Sequence, residues 1–125
     1  MIDAPFHMPS ELVLHLSMPP TTNNLFAGNG KRRFRSAEYA AWIKDAGYRL
    51  NAQRPPLMAG KVAILIEVEE PKTKIRQDVA NREKAVTDLL VSHRVIQGDD
   101  QRFVRELTMR WAPVEGVKVT IRSEQ

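Results

Sequence analysis

Cysteine is absent from the 125-residue chain, and aromatic residues make up only 6% of it. Without cysteine there are no disulfides and no thiolate-bound metal, and the composition fits a reducing, cytoplasmic compartment. Long hydrophobic runs are missing too. The longest, around Val62 to Val68, has the length of a strand and is too short to cross a bilayer. No basic-then-apolar pattern opens the chain, so export is not expected. There is no internal repeat and no low-complexity tract.

What is present is an ordinary globular composition with a basic bias. Hydrophobic residues are 42%, charged residues 27%, and the formal net charge is +4. That supplies one core, and one domain is the expectation at this length. The domain is expected over residues 10–125, after a loose tail over residues 1–9 that shows no periodicity. A positive balance favours an anionic partner, and its distribution says more than its total. Lys31-Arg32-Arg33-Phe34-Arg35 and Lys72-Thr73-Lys74-Ile75-Arg76 form two clusters, each just ahead of an expected helix. Solvated loops are the ordinary reading of such clusters; phosphate contact is the other.

Periodicity places the elements in the order β-α-β-α-β-β. Glu11 to Met18 alternates, with Leu12, Leu14, Leu16 and Met18 on one face. It ends at Pro19-Pro20, which cannot donate to a ladder. His15 lies on the less apolar face and reads as structural. Thr21 to Gly30 is a polar loop of turn-forming residues. Ser36 is a good N-cap for a helix over Ala37 to Ala52, which buries Tyr39, Trp42, Ile43, Ala46 and Leu50. Tyr39 and Trp42 thereby read as core, not as base-stacking groups. Gly47 inside this helix costs about 1 kcal/mol against alanine, which marks a close contact or a weak point. Lys61 to Glu69 is apolar on both faces for most of its length and belongs at a sheet centre. A second helix spans Val79 to Ser92, with Ala85, Val86, Leu89 and Leu90 buried, Asp88 solvated and His93 closing the last turn. Strands over Arg102 to Trp111 and through Val117, Val119 and Ile121 are expected to pair as an antiparallel hairpin across Pro113 to Gly116. The fold class is α/β (α+β), with a mixed sheet of about four strands and two helices.

The chemistry-bearing stretch is Arg76-Gln77-Asp78-Val79-Ala80-Asn81-Arg82-Glu83-Lys84, followed by Asp99-Asp100. A basic loop runs into an acidic residue at a helix head, and Asn81 and Lys84 share roughly one face of that helix. Each acid has a structural reading, Asp78 as an N-cap and Asp99-Asp100 as a turn before a strand. Together they also suit metal-assisted phosphodiester chemistry. Carboxylate oxygens hold Mg²⁺, the ion activates water, and a cation steadies the departing charge.

These residues resemble the RusA family of Holliday-junction resolvases, endonucleases that cut four-way DNA junctions. The family's Asp-x-Asp-Asn-x-x-Lys pattern appears as Asp78-Val79-Ala80-Asn81-Arg82-Glu83-Lys84, and its Asp-Asp pair as Asp99-Asp100. Pro19-Pro20-Thr21-Thr22-Asn23-Asn24 resembles the family's opening, and Ser36-Ala37-Glu38-Tyr39 falls where its first helix starts. The likeness runs from about Leu12 to Ile121. It implies catalysis by Asp78, Lys84 and Asp100, and Mg²⁺ (or Mn²⁺) held by Asp78 and Asp100, with Asp99 as a further candidate; by position, Glu83, one helical turn after Ala80, and Glu67, at a strand end, are candidate substitutes for the carboxylate missing at Ala80. It also implies DNA contacts from Asn24, Lys31, Arg32, Arg33, Arg35, Lys72, Lys74, Arg76, Asn81 and Arg82. The expected partner is branched DNA, the active form a homodimer, the setting the cytoplasm of a bacterium or phage host, and no membrane is involved.

One position departs from the pattern. Ala80 stands where the family has its second aspartate, a metal-ligand position, and alanine offers no donor. Two further readings therefore stay open: a junction-binding relative that has lost cleavage, and an α/β domain whose charge is incidental.

Overall fold

A computed structural model describes residues 8–124. The expected loose tail falls mostly on residues outside that range. At its end, Met8 packs against the core, and its sulfur accepts a hydrogen bond from the Ala59 N–H at 3.0 Å.

The sheet centres on two strands, one buried on both faces and one with alternating burial. β1 (Glu11–Leu16), β4 (Val62–Glu69), β5 (Val104–Ala112) and β6 (Val117–Ser123) form one sheet, in the order β1-β6-β4-β5. β6 is antiparallel to both of its neighbours, and β4 and β5 are parallel. A short two-stranded sheet, β2 (Phe26–Ala27) with β3 (Phe34–Arg35), lies within what reads as a loop in the sequence. Helix α1 spans Ala37–Ala52 and α2 spans Glu83–Ser92. The fold is thus α+β, with a mixed four-stranded sheet, a minor sheet and two helices. No helix among the described residues is long and apolar enough to cross a membrane.

The expected hairpin of the last two strands does not form. β4 inserts between them, and Pro113 to Gly116 crosses over the end of β4. The burial pattern gives the reason. β4 is buried on both faces and needs a neighbour on each side, whereas β5 exposes Arg105, Glu106, Thr108 and Arg110 and suits an edge. The crossover is pinned by the Gly116 N–H, which donates to Glu69 Oε1 at 2.8 Å, while Glu69 N–H donates to the Gly116 carbonyl. Gly116 has φ +64°, and a Cβ there would lie 2.4 Å from the Leu16 carbonyl oxygen, so only glycine fits.

One face of the sheet carries the core. Leu14 and Leu16, Val62 through Val68 at alternate positions, and Val117, Val119 and Ile121 meet Tyr39, Trp42, Ala46 and Leu50 of α1 and Ala85, Val86, Leu89 and Leu90 of α2. Met109 and Trp111 of β5 are half-buried against the same cluster, so they are used internally. Four further fully buried residues, Leu25, Met58, Val95 and Ile96, sit outside the periodic segments, and Met58 and Ile96 join in a parallel bridge. Ser36 caps α1 by accepting the Tyr39 N–H at 3.0 Å. Gly47 lies under the His93 ring, where an added Cβ would meet Nε2 at 3.0 Å, so the glycine marks a close contact. At the free edge of β1, the Gln53 side chain satisfies both the N–H and the C=O of His15.

Trp42 also has a polar tie: its indole N–H donates to the Ser17 carbonyl at 3.0 Å. Trp42→Phe should therefore lower the unfolding free energy by about 1–2 kcal/mol in urea titration, through a lost hydrogen bond and a partly emptied site. DNA affinity should be unchanged if Trp42 is core and not a stacking surface.

Candidate active site

The acidic segment is built from outside itself. β4 ends at Glu69, the basic loop comes next, and residues Val79–Arg82 make a 3₁₀ turn that runs directly into α2. The helix expected from Val79 thus begins with a tighter first turn. Arg82 anchors that turn: its guanidinium donates to the Pro19 carbonyl and to Gln77 Oε1 (2.9 Å). Thr22 Oγ1 donates to the Asn81 carbonyl at 3.2 Å. The Pro-Pro loop near the start of the domain therefore holds the segment that carries Asp78. Burial pulls the Arg82 pKa down, with the Glu38 charge opposing. The family pattern suggests Arg82 as a phosphate contact; both of its bonded nitrogens are instead committed to the fold.

Asp78 occupies the cap position but does not cap. Its backbone is extended (φ −91°, ψ 128°), its carbonyl accepts the Asn81 N–H, and its side chain makes no cap hydrogen bond. The carboxylate stands at the head of the turn. Asp100 behaves differently. It binds the Arg102 guanidinium through both oxygens (3.0 and 2.8 Å) and accepts the Arg102 backbone N–H at 2.9 Å. These bonds hold its pKa well below the usual aspartate range, at about 2. This is the turn-before-strand role, and it occupies the carboxylate.

Lys84 projects from the first turn of α2 and pairs with Asp88 at 3.3 Å. The Asp88 hydrogen bond and charge raise the Lys84 pKa, and Asp99 and Glu83 add to this. Asp88 and Asp99 line one recess of about 470 Å³ with Arg35, Tyr39 and Phe26. Burial is the main cause that raises the Tyr39 pKa, and Asp88 adds to it. Asp88, which reads from sequence as a solvated charge, is thus the partner of Lys84; the signal is their i,i+4 spacing on one helix face.

Two candidates are placed elsewhere. Glu67 lies on the sheet face opposite the helices, where Arg110 Nε and Nη2 both bind its Oε2 (3.1 and 2.9 Å), and Lys118 is its register partner on the other side. It cannot replace the donor missing at Ala80. Asn24 donates its side-chain amide to Thr21 Oγ1 at 3.1 Å and shapes its own turn. Asn81 contributes backbone bonds to the turn. Among the basic residues, Arg33 lies over the Phe26 ring at 4.4 Å, Arg35 over Tyr39 at 5.9 Å, and Lys72 pairs with Glu69 at 3.8 Å. Lys31, Arg32, Lys74 and Arg76 are exposed, and no described residue forms an ion pair with them. Among the described residues, no three His, Asp or Glu side chains are grouped to hold a metal ion.

A family model described as endodeoxyribonuclease RusA matches residues 17–122. That is nearly the whole chain, and it includes the Pro-Pro loop, the acidic segment, both helices and most of the sheet. The chain belongs to the RusA family of endodeoxyribonucleases. No curated protein sequence matches it.

The Asp100–Arg102 pair gives a direct check on this geometry. Asp100 should titrate near pH 2 in a carboxyl-detected NMR series and move up to the ordinary aspartate range in Arg102→Ala. Because the folded pKa is depressed, the contribution of the pair to the turn is present above the unfolded pKa and is lost as pH falls through about 2.

Proposed function

We propose that this protein is a structure-selective endonuclease that hydrolyses phosphodiesters in four-way DNA junctions with a divalent ion, Mg²⁺ or Mn²⁺. The observation that carries the reading is Asp78. It sits where aspartate ordinarily caps a helix, yet its side chain makes no cap bond, in a segment that leads to Lys84 and is braced from a distant loop. The family match supports nuclease activity; the metal and the roles below are our inference.

The donor set fits a hard cation. The acidic segment and the Asp99-Asp100 pair offer hard oxygen donors, Ala80 adds none, and Asp100 is engaged by Arg102. Asp78 and Asp99, with Asp100 when released from Arg102, would hold the ion, and Glu83 is the remaining nearby carboxylate. An ion of this type is satisfied by one or two carboxylates when water and substrate phosphate complete its shell. When bound, it supplies an activated water and charge neutralisation at the phosphate. The chain's own part is to place charge. Asp88 pairs with the Lys84 ammonium at 3.3 Å and orients it, so that the ammonium can face the negative charge that builds on the phosphate and the leaving oxygen. Lys31, Arg32, Lys74 and Arg76 hold the flanking backbone.

The active form is proposed to be a homodimer, since paired cuts in a two-fold symmetric junction need two symmetric sites and one chain has one. Light scattering at twice the monomer mass would support this, and a monomer on the junction would refute it.

A second reading has its own observation: Ala80 removes one donor and Arg102 occupies another, which suits a junction-binding protein without cleavage. A labelled four-way junction separates the two. The nuclease reading expects symmetric nicks with Mg²⁺ or Mn²⁺, lost in Asp78→Asn with binding retained. Tight, salt-sensitive binding without nicks at any metal concentration would contradict it. A large gain of cutting in Ala80→Asp from an inactive parent would establish the second reading.

A further inference from the structure

We propose that Phe34 is a branch-recognition residue, whose ring stacks on a base exposed at the junction centre while neighbouring cations grip the phosphates. The inference rests on the DNA reading above and goes beyond it by naming what tells branched DNA from duplex.

The evidence is the unequal treatment of two aromatic residues on one arm. Phe26 and Phe34 lie on the paired strands β2 and β3. Phe26 is engaged on both sides: Arg33 covers its ring at 4.4 Å, and Tyr39 meets it edge-on at 5.9 Å. Phe34 has no such ring partner among the described residues and is 60% exposed. Its position is nonetheless defined, since it pairs with Ala27 and its ring edge lies 3.0 Å from where a Gly28 Cβ would be. Gly28 is at φ +83°, so the turn needs glycine, and that glycine leaves room for the ring.

The surroundings say what would cover the ring. Lys31, Arg32, Arg33 and Arg35 flank it in the chain, Arg33 and Arg35 lying over Phe26 and Tyr39 and Lys31 and Arg32 exposed, so an anionic partner with a flat apolar face suits this arm. DNA bases beside phosphates meet both demands. Duplex DNA hides base faces inside the stack, whereas a junction can present them at the branch. The second basic loop repeats the theme of an apolar residue among cations, in Lys72-Thr73-Lys74-Ile75-Arg76, and Ile75 is 73% exposed. An aliphatic side chain among cations is the wedge type that unstacks a base step.

The test uses a four-way junction with 2-aminopurine at the branch, a second with the probe within an arm, and a matching duplex, all without divalent metal. Wild-type protein should change the branch signal and leave the arm signal unaltered. Phe34→Ala should abolish the branch change and weaken junction binding by roughly 10- to 100-fold, the scale of one lost base–aromatic stack, with duplex binding nearly unchanged. Phe34→Trp should restore both. Wild-type affinity and an unaltered branch signal in Phe34→Ala would overturn the proposal, as would an equal loss on duplex and junction. If the wild type binds neither DNA, or binds anionic phospholipid vesicles instead, the DNA reading itself fails and this proposal with it.

Discussion

The guanidinium of Arg82 joins two stretches 63 residues apart and braces the turn that follows Asp78. Its acceptors, the Pro19 carbonyl and Gln77 Oε1, lie just beyond β1 and immediately before Asp78. Thr22 adds a second tie to Asn81. A basic loop after a strand would otherwise be free to wander, and Asp78 with it. Pro19 and Pro20 are conformationally stiff, so the acceptor side of the joint is rigid. With charge-assisted bonds on the donor side, the acidic turn is held by the fold itself.

The candidate carboxylates differ in whether the fold already engages them. Asp100 closes a turn and holds Arg102; Glu67 braces the open sheet face through Arg110; Asp88 steadies Lys84. Asp78 and Asp99 make no ion pair of this kind with any described residue. If these residues form the proposed site, Ala80 leaves it with few donors to spare. The basic arm and the basic loop sit on the other side of the balance, with several cations that no described carboxylate neutralises. Such a surplus of positive charge favours an anionic partner.

Local signals are legible in the chain. Ser36 and the spacing of Tyr39, Trp42, Ala46 and Leu50 set the limits of α1, because capping and amphipathicity are short-range properties. The two-faced apolar pattern of β4 announces a central strand. The motif at Asp78, Asn81 and Lys84 leads to the family, which the match over residues 17–122 shows. Long-range choices are not legible. Which strand lies beside β4 depends on competition among all the strands, and adjacency in sequence suggests a hairpin that β4 interrupts. Charge alone marks Arg82 and Glu67 as available, and only the fold reveals that each already has a partner. β2 and β3 are two residues each, too short to show a period.

The proposed reading implies an ion site that DNA would complete. Asp78 and Asp99 form no ion pair with a described residue, and on that reading substrate phosphate would supply the remaining oxygens and charge. Mn²⁺ uptake, read as loss of the free-ion electron paramagnetic resonance signal, tests this most directly, in the cold and before cutting. Protein alone and junction alone should each take up little Mn²⁺, while the two together should remove clearly more than their sum. Uptake by the complex that merely equals the sum of its parts, or tight uptake by the protein alone, would contradict the account.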